Sequence, residues 1–152
     1  MRAIMSSSIL FSIALCTIVT NPSFAQGNVP QVTITNIVAD SAVQGTTAGL
    51  PAQMQGKACV ILYVHTDLWY IHPYANAGLG QSFTMVDPQG NWQLETVQRH
   101  FPANRVAVIV MSDANACQNA PERTADVRRI QNPVALRIYD LKGDGSQWFG
   151  RL

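Results

Sequence analysis

The chain is 152 residues long, with ten Lys or Arg against nine Asp or Glu, a formal charge of +1 and only 12% of its residues charged. Binding to a phosphate backbone needs a local excess of Lys and Arg, whereas the densest basic stretch here, "RTADVRR" (Arg123–Arg129), is broken by Asp126, which argues against nucleic acid as a partner. No stretch approaches the ~20 apolar residues of a membrane-spanning helix, and the length suits one domain with a substantial core.

In chain order, the first element is a removable leader. Arg2 supplies a positive start, Ile9 to Val19 forms a short apolar run, and Ser23-Phe24-Ala25 offers the small–x–small pattern of a signal-peptidase site. Residues 1–25 are expected to be a signal peptide, which places the protein outside the cytoplasm, in the periplasm or secreted. Residues 26–152 are then expected to form a single domain carrying nine basic and nine acidic side chains. Two of the three cysteines, Cys59 and Cys117, follow the leader. In an oxidising compartment an even pair predicts one disulfide, and closing so long a loop stabilises by roughly 4 kcal/mol in the chain-entropy model.

The next segments read as strands. "QVTITNIVAD" (Gln31–Asp40) alternates Val32 and Ile34 with Thr33 and Thr35, and a short strand is predicted around Ala42–Thr47 before a stretch broken by Gly49, Pro51 and Gly56. "ACVILYVH" (Ala58–His65) is apolar almost throughout and β-branched, the signature of a strand buried on both faces. "WYIHP" (Trp69–Pro73) predicts a short strand ended by proline. "SFTMVDPQGNWQLETV" (Ser82–Val97) predicts a hairpin, since Phe83, Met85 and Trp92, Leu94 alternate on either side of Asp87-Pro88-Gln89-Gly90-Asn91. "RVAVIVMS" (Arg105–Ser112) is a second buried strand, Asp113–Arg129 a polar excursion with room for one or two helical turns, and "VALRIYDL" (Val134–Leu141) a last strand. Seven or eight short strands with hardly any helix predict an all-β chain, an antiparallel immunoglobulin-like β-sandwich.

"VQGTTAGL" (Val43–Leu50), "CVILYVHTDLWYIHPY" (Cys59–Tyr74), "FTMVDPQGNW" (Phe83–Trp92) and "VAVIVM" (Val106–Met111) together resemble a bacterial extracytoplasmic immunoglobulin-like accessory module. Its pattern is Tyr-x-x-Thr-Asp-x-Trp-Tyr-x-x-Pro followed by Asp-x-x-Gly-x-Trp, and it covers about residues 43–111. The resemblance implies a β-sandwich attached to secreted or envelope proteins, and it implies no catalytic residues.

Functional side chains concentrate in "YVHTDLWYIHPY" (Tyr63–Tyr74). His65 and Asp67 share one side of an extended strand, and His72 follows a reversal, so two imidazoles and a carboxylate are available to zinc or copper, with His100 as a fourth group. The competing structural expectation is that His65 hydrogen-bonds at a strand end while Asp67 caps its turn. No Gly-x-Ser-x-Gly elbow is present, and paired cysteines leave no thiol nucleophile, so no residue is assigned a catalytic role and no cofactor is called for. Aromatic side chains act as stacking platforms and contact anchors. Alternation puts Trp69 and Ile71 on one face, expected inward, and Tyr70 and His72 on the other, expected toward solvent. Tyr70, His72 and Tyr74 are thus the expected contacts of a non-enzymatic binding or assembly module for a carbohydrate, an envelope component or a protein. A metal-dependent function at His65, Asp67 and His72 is the alternative.

Overall fold

The structure is a computed structural model that describes residues 28–38, 41–73, 82–96 and 103–141. The expected leader at 1–25 lies outside them, as do Tyr74 and His100. Nine strands occur among the described residues: β1 (Gln31–Val38), β2 (Ala42–Ala48), β3 (Cys59–His65), β4 (Trp69–His72), β5 (Phe83–Met85), β6 (Asn91–Glu95), β7 (Arg105–Met111), β8 (Arg123–Thr124) and β9 (Ala135–Asp140). One short helix, α1 (Ala114–Gln118), accompanies them with two 3₁₀ turns, Ala52–Met54 and Val127–Arg129. All pairings are antiparallel and build two sheets, one ordered β1-β2-β6 and the other β8-β4-β3-β7-β9, with β5 paired to the remaining length of β3.

The larger sheet is organised by β3 and β7, the two apolar runs of the sequence, which pair over seven residues from Cys59↔Met111 to His65↔Arg105. Even-numbered residues of β3 and β7 (Val60, Leu62, Val64, Val106, Val108, Val110) join Val32, Val43, Trp92 and Leu94 of the smaller sheet in the core between the sheets. Odd-numbered residues (Ile61, Tyr63, Ala107, Ile109) form a second core on the opposite face. Each large aliphatic side chain buried in this way contributes about 1.5–3 kcal/mol.

The cover for that second core is the polar excursion after β7. The Asp113 carboxylate accepts from Ala116 N at 2.9 Å and caps α1, while Asp126 caps the Val127–Arg129 turn through Arg128 N at 3.0 Å. Cys117, Val127 and Ile130 of this excursion pack onto Ile61, Tyr63, Trp69 and Ile71. The expected Cys59–Cys117 disulfide is present, with its Cα atoms 6.4 Å apart, and it fastens α1 to the start of β3. The Tyr63 hydroxyl donates to the Pro121 carbonyl at 2.6 Å, and burial pushes its phenol well above the ordinary tyrosine range.

The segment expected to be a hairpin differs. Its turn forms: Asp87 N donates to Asn91 O and Gly90 N to Asp87 O, both at 2.9 Å, with Gly90 at φ +89°. The strands it joins do not pair, because β5 pairs β3 in the larger sheet and β6 pairs β2 in the smaller one. Phe83 enters the second core while Trp92 and Leu94 enter the first. Two strands of one hairpin would have offered these side chains to a common face, so the turn is an arch between sheets.

Trp92 sits opposite Gly45 in the β2–β6 ladder, and a Cβ at Gly45 would overlap the Trp92 ring and the Thr33 carbonyl. Gly45→Ala should therefore destabilise by about 1–3 kcal/mol, the range for overpacking a filled core, read as a lower midpoint in urea with an unchanged slope. Replacing both Cys59 and Cys117 by Ser should lower stability by roughly 2–4 kcal/mol. Wild type unfolded in the presence of reductant should match that variant.

Candidate binding surface

Ladder register sorts the side chains around the β3–β4 connection. Directly opposed residues of an antiparallel pair project to the same face. His65 opposes Trp69 and Leu62 opposes His72. His65 and Trp69 therefore share the outer face of the larger sheet, and His72 lies on the inter-sheet face with Leu62. The alternation itself is as expected, Trp69 and Ile71 on one side and Tyr70 and His72 on the other. The solvent side is not: His72 is 1% exposed, so its placement among surface contacts is corrected. Period-2 alternation shows which residues share a face, but both faces of this sheet are covered.

On the outer face, His65 meets Trp69 edge-on, with ring centroids 4.9 Å apart. Arg105, opposite His65 in the β3–β7 ladder, holds its guanidinium 5.2 Å from the Trp69 ring centroid and lies 3.2 Å from His65 Nε2. A guanidinium can only donate, so Nε2 accepts and Nδ1–H donates to Asn104 Oδ1 at 2.7 Å. Both imidazole nitrogens are thus engaged at the strand end.

Asp67 organises the turn. Its carboxylate accepts from Thr66 Oγ1 at 2.7 Å and from the Tyr70 hydroxyl at 3.3 Å. The Thr66 hydroxyl, then the backbone amides of Asp67 and Leu68, hold this carboxyl below the ordinary aspartate range. Tyr70, half-buried against the rim of the inter-sheet core, opposes Arg123 of β8. Loss of solvent raises the Tyr70 phenol, the Asp67 carboxylate raises it further, and the Arg123 charge opposes both. Tyr70, Asp67 and Arg123 therefore form one electrostatically coupled patch at the sheet's β4–β8 edge.

His65, Asp67 and His72 do not come together as ligands. His65 and His72 occupy opposite faces, and among the described residues no group of three His, Cys, Asp or Glu is placed to hold a metal ion. Of the expected contacts, Tyr70 remains at the surface, His72 is interior, and Tyr74 lies outside the described residues. Arg105, Asn104 and Arg123 were not singled out from the sequence. Arg105 was within reach of it: antiparallel pairing of the two apolar runs sets the end of one, His65, against the start of the other. Arg123 had no such signal, because a two-residue strand carries no periodicity. Comparison with protein-family models, with curated proteins and with solved structures gave no match.

Three carboxylates share the same electrostatic signature. Asp87 is held low by the Asn91 side chain and amide, and Asp113 by the Ala116 amide and the Ser112 hydroxyl; Asp67 is the third. A carboxyl lowered in the folded state adds stability above its unfolded value, about 3.9, and loses it as pH falls through the lower folded value. The denaturation midpoint should therefore decline below about pH 4. A variant with Asp67, Asp87 and Asp113 all replaced by Asn should start lower at neutral pH and show a shallower acid decline.

Proposed function

We propose that this chain is a non-enzymatic extracytoplasmic binding or assembly module, exported with removal of residues 1–25 and built as an immunoglobulin-like sandwich. The strand order supports the fold. In chain order β1, β2 and β6 stand where such sandwiches place strands A, B and E, and β3, β7 and β9 where they place C, F and G. The disulfide supports an oxidising compartment. Among the described residues no helix is long and apolar enough to cross a membrane.

The partner is a carbohydrate, an envelope component or a protein, and the observation that carries the reading is the Tyr70–Asp67–Arg123 patch on the edge formed by β4 and β8. Tyr and Arg are, with Trp, the side chains enriched as anchors of protein contacts, because each combines a large apolar area with directional polar groups. That composition favours a protein partner at this edge. Tyr74, which follows Pro73 in the sequence, lies outside the described residues.

The test uses protein recovered from outside the cytoplasm, whose intact mass should begin at Gln26 and be two hydrogens short of the reduced chain. Immobilised wild type should retain a component of the envelope or secreted fraction that a Tyr70→Ala/Arg123→Ala variant of equal thermal stability loses. Equal retention by the two proteins removes this patch from the binding surface.

A further inference from the structure

The outer face of the smaller sheet carries chemistry of a different kind. Asn36 Nδ2 donates to Gln44 Oε1 at 2.9 Å, and Gln44 Nε2 donates to Gln93 Oε1 at 2.7 Å. Carboxamides from β1, β2 and β6 are thereby linked across the strands. Each carboxamide has two donors and an acceptor oxygen with two lone pairs, so among the described residues these exposed links use only part of that capacity. Beside this ladder runs an open groove of about 450 Å³, lined by Gln44, Thr46, Asn91 and Gln93 together with Thr84 and Met85 of the other sheet's edge. That volume falls within the ~300–1,000 Å³ of known ligand sites.

Charge decides what the groove suits. Asp87 is the one ionisable residue in the lining, and its carboxylate is already committed. Oδ1 accepts from Gln89 N at 2.9 Å and Asn91 N at 2.7 Å, and Oδ2 accepts from Asn91 Nδ2 at 3.0 Å. The rest of the lining offers neutral amides and hydroxyls, and Met85, 41% exposed, adds an apolar ledge. Trp92 also belongs to the lining and is 4% exposed, and its indole Nε1–H has no hydrogen-bond partner among the described residues. The lining thus includes a buried donor for which this part of the protein supplies no acceptor.

We propose that this groove is a binding site for an uncharged oligosaccharide, distinct from the Tyr70 edge and independent of that reading. A neutral sugar presents hydroxyls, each both donor and acceptor, in the density that an amide and threonine surface can match. Its C–H faces suit an apolar ledge such as Met85. A peptide adding to the sheet would instead be held mainly through the backbone edge, with side-chain pockets as the secondary determinant. A polyanion finds no counter-charge in the lining, and a polycation finds only the Asp87 carboxylate, whose oxygens already accept three hydrogen bonds.

The experiment is a glycan array of neutral and acidic oligosaccharides probed with the full mature chain, followed by calorimetric titration of the strongest neutral oligosaccharide. Binding to a neutral glycan should persist in high salt, since no ion pair holds it. Gln44→Ala/Gln93→Ala should raise Kd about tenfold through lost hydrogen bonds. Thr46→Arg, which fills the groove from an exposed position, should abolish binding with thermal stability retained. Tyr70→Ala/Arg123→Ala should leave Kd unchanged, so failure of the edge patch and failure of the groove are separable. Absence of any neutral-glycan signal, signal confined to acidic glycans, or an unchanged Kd in both groove variants overturns the proposal.

Discussion

The double burial of β3 and β7 is the constraint on which the remaining architecture depends. Their side chains are apolar on both faces, so stacking one sheet against them satisfies only half of each strand. The other half, Ile61, Tyr63, Ala107 and Ile109, must be covered by something else. The chain uses the excursion between β7 and β9, which is too short and too polar to make a third sheet. It therefore supplies a few apolar side chains, Cys117, Val127 and Ile130, held by two aspartate caps and one covalent bond. A cover built from a five-residue helix and a 3₁₀ turn has little intrinsic stability. That is why the disulfide joins α1 to β3, inside the second core.

Asp87 does comparable work between the sheets. Five residues carry the chain from β5 in one sheet to β6 in the other, and both oxygens of one carboxylate hold the turn. The turn is also clamped onto β2, because Thr47 N and Thr47 Oγ1 both reach the Gly90 carbonyl, at 2.7 and 3.0 Å. This clamp sets Trp92 over Gly45 and completes the inter-sheet core. The same arch brings Thr84 and Met85 beside Asn91 and Gln93, which is how an edge of the larger sheet comes to wall a groove on the smaller one.

Much of this was legible in the residues. The continuous apolar runs identified β3 and β7 as doubly buried strands, the cysteine count predicted the bridge, and the Pro-Gln-Gly-Asn sequence located its turn. What alternation cannot carry is sheet membership, so Phe83-x-Met85 and Trp92-x-Leu94 looked like partners although Phe83 packs into one core, Trp92 and Leu94 into the other, and Met85 is exposed. Nor does alternation say which face is wet. Tyr70 and His72 do share a side, but that side is the inter-sheet interior, leaving Tyr70 at its rim and His72 inside. The Asp67 environment was legible for a local reason, since its turn is held by Thr66 and Tyr70, whereas His65 at its strand end is bonded by Asn104 and Arg105 across the β3–β7 ladder. Arg123 and the amide ladder depend on long-range pairing, for which a single sequence holds no signal.

Polar residues on a sandwich of this kind divide by what their hydrogen-bonding capacity has left over. His65, Asn104, Arg105 and Trp69 engage one another, with both imidazole nitrogens hydrogen-bonded and the guanidinium 5.2 Å from the Trp69 ring centroid. Such a cluster stabilises a strand end, and its two imidazole nitrogens are already occupied. Asp87 is likewise absorbed by its turn. The Gln44–Gln93 link is different, since each amide spends only part of its capacity on the protein. The Tyr70–Arg123 edge is different again, pairing a half-exposed aromatic with a cation on strands that end the sheet. Residual capacity, rather than density of functional groups, therefore draws attention from the histidine-rich turn to the amide ladder.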